Sequence, residues 1–277
     1  MTPPAGSAAS PQAPIGVFDS GIGGLTVLDA LMRALPREHL VYFGDTARLP
    51  YGPKSPETVR RYARENVELL RGTGAKLIVV ACNTATAHAL DELRASVPLP
   101  VVGVVGPGAR AALRASRTGR VGVIGTEGTV ASEAYPRRLR ELRADVQVFS
   151  RPCPLLVPLA EEGLLDHPAT RLIVREYLEP FVAEGVDALI LGCTHYPVFK
   201  PLAAEVLGPR VALIDSAEET AREVAGLLRE RGLERRGAGE GGRRYLVSDL
   251  PARFLRVGRV FLGESLREVE LATAGPD

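Results

Sequence analysis

The sequence predicts an α/β protein of two pseudo-symmetric domains with mainly parallel sheets. Short apolar runs alternate with segments of helical periodicity along the chain, which is typical of parallel βαβ units. An internal repeat supports the division into two. One copy is GAKLIVVAC, from Gly74 to Cys82, and the other is GVDALILGC, from Gly185 to Cys193. Each copy therefore brings one cysteine to the end of a predicted strand.

The predicted elements of the first unit follow from apolar runs and from the turn residues between them. Its strands are 15–18, 40–43, the run that ends at Cys82, and 101–105. The first of these strands leads through the glycine-rich loop DSGIGG into a helix. Ser55 and Pro56 are residue types preferred at a helix N-cap and at the first helical position, so we expect a helix to begin there.

The second unit begins where VGVIGTEG, residues 121–128, resembles IGVFDSG, residues 15–21. Its predicted strands are 121–124, 146–149, 186–191 and 211–214. A helix is expected over 132–143, and Ser216 with Glu219 has the S-x-x-E spacing of a capping box for a later helix. The last stretch of the chain predicts one more strand and one more helix.

Polar side chains follow both cysteines directly. Asn83 and Thr84 come after the first cysteine, whereas Thr194 and His195 come after the second. Because functional groups gather at the carboxyl ends of strands in open α/β sheets, these side chains are candidates for a binding site. The alternative is a pair of core cysteines, since free cysteine is among the most buried residue types. Matched positions beside polar residues favour the functional interpretation.

Two thiols on opposite sides of one pocket can act as a pair of acid–base groups. A thiolate takes a proton from carbon and the opposite thiol returns one, which inverts a stereocentre. A cysteine has an ordinary pKa of about 8.5, so ionisation needs help, for which the N-termini of the helices after both strands are suited. Asp19 and His195 are candidates to relay protons or to orient the thiols.

The polar residues near these positions suit an amino acid as the ligand. Hydroxyl and amide groups are offered by Ser20, Asn83, Thr84 and Thr194. Backbone amides in the glycine-rich loop, and in the turn at Tyr51 and Gly52, are suited to receive carboxylates.

Other kinds of site have weaker support from the same residues. The loop DSGIGG lacks the full G-x-G-x-x-G spacing of a dinucleotide site. Cys82, Cys193 and His195 are an acceptable set of zinc ligands, but no C-x-x-C or H-x-x-x-H spacing accompanies them. A redox pair usually has C-x-x-C spacing, whereas these cysteines lie 111 residues apart. None of the lysines lies in a pattern that indicates pyridoxal phosphate.

The composition is that of an ordinary globular protein of 277 residues. Its 34 basic and 33 acidic residues give a net charge of +1, which leaves no field to attract nucleic acid or an anionic membrane. No apolar run approaches the ~18 residues of a membrane span, and the first residues lack the basic and apolar regions of a signal peptide. Three cysteines are a poor disulfide framework, so we expect a reduced, cytoplasmic setting.

Four ordered motifs resemble the signature segments of a known enzyme family. They are IGVFDSGIGGLTVL, YFGDTARLPYG, VACNTATA and LGCTHYP, and they extend over almost the whole chain after its first residues. In these motifs the chain is similar to the glutamate racemases of the cofactor-independent aspartate/glutamate racemase family. The resemblance implies interconversion of L-glutamate and D-glutamate for peptidoglycan, without pyridoxal phosphate or metal.

The resemblance also implies two α/β domains with the active site at their interface. We expect a disordered tail over 1–13, a first domain over 14–108 and 219–277, and a second domain over 109–218. The resemblance further implies a homodimer with glutamate as its small-molecule partner. The sequence itself gives no oligomeric state.

Site residues carry over by their positions in the motifs. Cys82 and Cys193 are implied to be the two acid–base residues. The implied substrate site is Asp19, Ser20, Tyr51, Gly52, Asn83, Thr84, Thr194 and His195. The implied auxiliary catalytic groups are Asp19, His195 and Glu161. Glu162 is adjacent to the last of these, so the choice between the two glutamates stays open.

Rival activities also stay open at this point. An aspartate or hydantoin racemase, or a related decarboxylase, belongs to the same superfamily. The presence of both cysteines argues against a decarboxylase, which needs only one proton donor. A thiol redox protein and a partner-binding protein are the alternatives from other classes. An assay of L-glutamate by circular dichroism distinguishes these alternatives.

Overall fold

The computed structural model describes residues 10–263 and 266–275, so residues 1–9 of the predicted tail lie outside the described residues. The strands, in chain order, are β1 (Ile15–Asp19), β2 (Leu40–Gly44), β3 (Leu77–Val80), β4 (Val101–Gly103), β5 (Arg120–Gly125), β6 (Gln147–Pro152), β7 (Ala188–Gly192), β8 (Ala212–Ile214), β9 (Arg243–Val247) and β10 (Glu270–Leu271). The helices are α1 (Leu25–Ala34), α2 (Pro56–Gly72), α3 (Asn83–Ser96), α4 (Val105–Ala115), α5 (Glu127–Ala131), α6 (Ala134–Leu142), α7 (Leu156–Glu161), α8 (Pro168–Ala183), α9 (Lys200–Leu207), α10 (Ser216–Glu230) and α11 (Pro251–Leu262).

The strands form two sheets in which the pairings are parallel. The first has the order β10-β9-β2-β1-β3-β4, and the second has the order β6-β5-β7-β8. The first strand of each repeat, β1 or β5, thus lies between the second and the third. The stretch β2-β1-β3-β4 therefore has the same strand order as the whole second sheet. This confirms the predicted α/β class and the predicted pseudo-symmetry.

Both faces of the first sheet are covered, which explains why its strands are continuous apolar runs. On one face, Leu28 of α1, Val224 of α10 and Phe254 of α11 belong to the core formed with β1, β2 and β3. On the other face, helices α2 and α3 contribute side chains such as Val67 and Leu93.

The second sheet is covered in the same way. Helices α4 and α6 pack on one face, where Ala109 and Leu139 belong to the core. Helices α7, α8 and α9 cover the other face with side chains that include Leu178 and Leu202. The loops that follow the carboxyl ends of strands in both sheets carry residues that line the site.

The helix N-caps agree with one prediction from the sequence and contradict another. Ser55 is the N-cap of α2, where its Oγ accepts a hydrogen bond from the Thr58 amide at 3.3 Å. The predicted capping box at Ser216 is wrong. Asp215 is the N-cap of α10 and accepts from the Ala217 amide at 2.9 Å, while Ser216 is already inside the helix.

The helix predicted over 132–143 is confirmed as α6, which covers Ala134–Leu142. Glu133 has a φ of +54°, in the left-handed region, and separates α6 from the short helix α5 before it. A right-handed helix cannot continue through such a residue.

Along 10–263 and 266–275, we find no helix with the length and apolar character needed to cross a bilayer. The strands predicted for each domain lie in separate sheets, with β9 and β10 joining the first. The exact domain boundaries stay a prediction.

Candidate active site

Loops from both sheets meet in a narrow cleft at the carboxyl ends of β1, β2, β3, β5 and β7. Its walls are Ser20, Gly21, Leu49, Pro50, Tyr51, Gly52, Cys82, Asn83, Thr84, Thr126, Val157, Glu161, Cys193, Thr194 and His195. The structure therefore brings together the predicted site residues with one exception, Asp19, which lies behind the wall. It also brings both thiols to the same cleft, although their catalytic roles stay a prediction.

Cys82 lies at the start of α3 and serves as its N-cap. Its Sγ accepts a hydrogen bond from the Ala85 amide at 3.4 Å, and the residue is 5% exposed. Burial raises the pKa of the Cys82 thiol to about 12, and the negative charge of Asp19 acts in the same direction. The hydrogen bonds from Ala85 and Ser20 oppose this rise but do not cancel it. In this environment, Cys82 retains its proton at neutral pH.

Cys193 follows β7 and contacts a histidine instead. Its Sγ lies 3.8 Å from Nδ1 of His195, a distance suited to a hydrogen bond involving sulfur. Burial alone would lower the pKa of His195, but the contacts with Cys193 and Glu161 raise it to about 10. Asp19 adds a negative charge that acts in the same direction. The imidazole beside this thiol is therefore protonated at neutral pH.

Glu161 lies on the far side of His195. The distance between Nε2 of His195 and Oε1 of Glu161 is 3.3 Å, close enough for an ion pair but without hydrogen-bond geometry. Burial raises the pKa of Glu161, yet His195 and Arg253 together bring it below its ordinary value. The Glu161 side chain is 9% exposed and that of Glu162 is 69% exposed. Geometry thus favours Glu161 as the partner of the imidazole.

Asp19 is fully buried at the end of β1. Its Oδ2 accepts a hydrogen bond from the Gly21 amide at 3.0 Å, and its Oδ1 accepts from Oγ1 of Thr194 at 3.4 Å. Burial raises the pKa of this carboxyl, although His195 and the hydrogen bonds lower it in part. Asp19 can therefore influence both sides of the cleft without lining it.

The loop after β1 contains glycines at positions where a Cβ would clash with neighbouring side chains. A Cβ at Gly23 would lie 2.5 Å from Nδ1 of His195 and 2.5 Å from Oγ1 of Thr194. A Cβ at Gly24 would lie 2.4 Å from the Cβ of Asp19. These distances are well below van der Waals contact. Glycine therefore permits the close approach of the second repeat at Gly23 and the close approach of Asp19 at Gly24.

Tyr51 and Gly52 form another part of the wall. The Tyr51 hydroxyl donates to the carboxylate of Asp45 and accepts from Nδ2 of Asn66 at 3.0 Å. The hydroxyl is therefore hydrogen-bonded to other residues of the protein. The Gly52 carbonyl accepts a hydrogen bond from the Gly128 amide at 2.9 Å. This bond joins the loop after β2 to the second repeat.

Asn83 and Thr84 hold the first turn of α3 against the second repeat. Oδ1 of Asn83 accepts from the Tyr135 hydroxyl at 2.7 Å, and Oγ1 of Thr84 lies 2.8 Å from Oγ1 of Thr126. Thr126 was missed by sequence reasoning. The signal was available, because Thr126 is the repeat partner of Ser20 when VGVIGTEG is aligned with IGVFDSG.

A metal site has no geometric support in this region. Over 10–263 and 266–275, no group of three or more His, Cys, Asp or Glu side chains is arranged to hold a metal ion. Activity without a cofactor stays a prediction.

Comparison with known proteins gives consistent matches. The family model of Asp/Glu/Hydantoin racemase matches residues 15–224. A glutamate racemase from Geobacter metallireducens is 54% identical over 259 residues, which cover 94% of this chain and 96% of that protein. One from Chlorobaculum tepidum is 49% identical, covering 95% of this chain and 97% of its own length.

Comparison with solved structures also matches the chain to glutamate racemases. A glutamate racemase from Thermus thermophilus in complex with beta-chloro-D-alanine has a TM-score of 0.87 and 50% identity, covering 95% of this chain and 98% of that one. A glutamate racemase from Francisella tularensis in complex with D-glutamate has a TM-score of 0.89 and 38% identity, with the same coverage of 95% and 98%. The fold, the cleft and these matches confirm the predicted relationship: this chain belongs to the Asp/Glu/hydantoin racemase family.

Proposed function

We propose that this chain is a racemase that interconverts L-glutamate and D-glutamate by moving a proton at Cα between two thiols. The observation that carries this function is that Cys82 and Cys193, at equivalent strand ends of two sheets, line one cleft. Such a pair presents a proton acceptor and a proton donor to a carbon held between them. Glutamate as the substrate follows from relatives about half identical over nearly the whole chain.

The environments of the two thiols support different roles in proton transfer. Cys193 takes the Cα proton of L-glutamate, and Cys82 returns a proton on the opposite face. His195 places its imidazole 3.8 Å from the Sγ of Cys193, where it can exchange a proton with the thiol or orient it. Cys82, with its pKa raised by burial to about 12, is a neutral thiol and is ready to donate. The roles exchange when D-glutamate is the substrate.

A buried donor without a partner supports an anionic ligand. Among the described residues, Nδ2 of Asn83 is a buried side-chain nitrogen that makes no hydrogen bond. Buried donors normally have acceptors, so this atom is suited to a ligand oxygen. The hydroxyls of Ser20, Thr84 and Thr194 lie in the same walls. Together they would receive the carboxylates of glutamate.

Circular dichroism of L-glutamate mixed with the protein tests this function. We expect the optical signal to decay to that of a racemate without added cofactor, before and after dialysis against a chelator. Aspartate is one methylene shorter and would leave polar groups of the site unpaired, so its kcat/KM should be much lower. An unchanged signal contradicts the function. Activity that requires zinc or pyridoxal phosphate contradicts the cofactor-free reaction, and equal kcat/KM values contradict the specificity.

The setting of the reaction follows from its product. D-Glutamate supplies peptidoglycan synthesis, so the enzyme contributes to cell-wall formation. We further propose a cytoplasmic location, which suits three cysteines that are all unpaired. The family resemblance leads us to propose a homodimer, which sedimentation equilibrium would test, and domains over 14–108 with 219–277 and over 109–218.

A further inference from the structure

Glu161 has a charged contact on each of its two oxygens. Oε1 lies 3.3 Å from Nε2 of His195, and Oε2 lies 3.3 Å from Nη2 of Arg253. The Arg253 side chain is 43% exposed and does not line the cleft. Its distance to Oε1 of Glu162 is longer, at 3.9 Å. The arginine therefore contacts the buried glutamate from the outside, on the side away from the imidazole.

The helix that carries Arg253 begins at a fixed point. Just before α11, the Ser248 hydroxyl donates to Oδ1 of Asp45 at 3.0 Å, and the Asp249 amide donates to Oγ1 of Thr46 at 2.8 Å. The same Asp45 accepts from the hydroxyl of Tyr51 in the cleft wall. The start of α11 is thus tied to the loop that forms the opposite side of the cleft.

Helix α11 also contacts the imidazole itself. The ring centroids of Phe261 and His195 are 5.8 Å apart, with an angle of 88° between the rings. Phe254 belongs to the core of the first sheet, whereas Glu161 is the last residue of α7 and His195 follows β7, both in the second repeat. One helix that packs on the first sheet therefore touches both members of the acid–imidazole pair in the second repeat.

We propose that Arg253 is a positioning residue, which holds the Glu161 carboxylate against His195 and so supports proton transfer at Cys193 but not at Cys82. Without the guanidinium, the carboxylate would be free to turn towards solvent, and the imidazole would lose its fixed partner. Cys82 accepts a hydrogen bond from the Ala85 amide in place of an imidazole contact, and the charge that acts on it is that of Asp19 rather than that of Glu161 or Arg253. The inference rests on the proposed racemase function.

A substrate analogue that needs only one base separates the two sides. A glutamate with a leaving group on nitrogen loses its Cα proton to the base and forms a C=N bond as the leaving group departs. In the variant Cys82→Ser the remaining thiol of the pair is Cys193, and in Cys193→Ser it is Cys82. Arg253→Ala is then added to each variant, and elimination is measured with both enantiomers.

We expect Arg253→Ala to slow elimination about two- to fivefold in the Cys82→Ser background, which is the range for an ion pair with an exposed partner. In the Cys193→Ser background, the rate should not change. Arg253→Lys keeps the positive charge and should retain most of the rate. Arg256→Ala is the matched control, since Arg256 is exposed on the same helix and three residues further along.

Several outcomes overturn the inference. They are an equal loss in both backgrounds, no loss in either, a loss confined to the Cys193→Ser background, or the same loss with Arg256→Ala. Thermal unfolding of each variant separates a local effect from a loss of fold, and Arg253→Lys serves where alanine unfolds the protein. Failure of the unaltered protein to racemise glutamate would instead count against the proposed function. An active protein in which Arg253→Ala has no effect counts only against the role of Arg253.

Discussion

Cys82 and Cys193 follow equivalent strands, but the chain continues differently after each. After Cys82 the long helix α3 begins at once, and the thiol caps it by accepting from the Ala85 amide at 3.4 Å. After Cys193 a short 3₁₀ helix over Tyr196–Phe199 comes first and leads directly into α9, and the thiol contacts His195 at 3.8 Å instead of capping a helix. The first thiol is hydrogen-bonded to a backbone amide, and the second contacts the side chain of a histidine.

This difference shows how a repeat can duplicate a reactive group without duplicating its surroundings. The repeat partner of Asp19 is Gly125, and the repeat partner of His195 is Thr84. Each repeat therefore supplies one ionisable residue that the other lacks. The two thiols therefore have different neighbours before any substrate binds, and the proposed division of acid–base roles between them requires such a difference.

Replacement of either thiol should give the largest effect and the most direct test of the comparison. We expect Cys82→Ser and Cys193→Ser each to lose racemisation by about 10²–10⁴-fold, the contribution of a positioned acid–base group. Each should still eliminate the leaving group from one enantiomer of the analogue. We expect Cys193→Ser to act on the D-analogue and Cys82→Ser on the L-analogue, as measured by product absorbance.

The two possible failures have different meanings. A variant that racemises at nearly the unaltered rate would contradict the two-thiol mechanism. Elimination from the same enantiomer by both variants would leave the mechanism standing and show that the assignment of faces is wrong.

Much of the fold was predictable because hydrophobic period and repeat are local properties. The runs that end at Cys82 and Cys193 predicted buried strands, and the structure has β3 and β7 there. Parallel strands bring their carboxyl ends to one edge, so residues after each strand were expected to meet. That rule is sufficient to gather the polar residues of all four motifs without knowledge of their packing.

Residues that act from a distance could not be predicted in this way. Arg253 and Phe261 lie on a helix after the second repeat, and no spacing in the sequence connects them to Glu161 or His195. The choice between Glu161 and its neighbour likewise depends on which side chain faces the cleft where α7 ends. Only tertiary packing determines that direction, so the motif alone left it open.

The pH dependence of the free energy of unfolding should distinguish two histidines, His88 near the Cys82 side and His195 beside Cys193. Burial lowers the pKa of His88, on α3, although its contact with the Gly128 carbonyl opposes this. The pKa of His195 is raised to about 10 by Cys193, Glu161 and Asp19, against the effect of burial. The ordinary value for histidine is about 6.5. The two side chains should therefore contribute opposite slopes to the free energy of unfolding.

The measurement is denaturant unfolding of the unaltered protein, His195→Asn and His88→Asn between about pH 5 and pH 10. A raised pKa gives stability that is complete below about pH 6.5 and is lost as pH rises towards 10, so the deficit of His195→Asn should shrink over that window. A lowered pKa destabilises the fold in acid, so His88→Asn should gain relative stability below about pH 6.5. Slopes of the same sign would contradict the contrast.

The smallest expected effect comes from a single methyl group placed against the Cys193 side. Gly23→Ala would bring a Cβ to 2.5 Å from Nδ1 of His195, and the ring cannot move away easily because it is buried. Overpacking of this kind costs about 1–3 kcal/mol of the free energy of unfolding. The matched control is Gly226→Ala, where α10 has open space and alanine should stabilise the helix by about 0.5–1 kcal/mol.

The position of that methyl group also predicts which half of the reaction it affects. Gly23 contacts Thr194 and His195, so Gly23→Ala should slow elimination in the Cys82→Ser background, where Cys193 is the remaining base. Elimination in the Cys193→Ser background should be nearly unchanged. The three atoms nearest to the added methyl carbon all belong to Thr194 and His195, on the Cys193 side. Denaturant unfolding and single-enantiomer elimination rates provide the two measurements. Equal slowing in both backgrounds would mean that the two sides share one rigid environment, and the distinction between them would have to be abandoned.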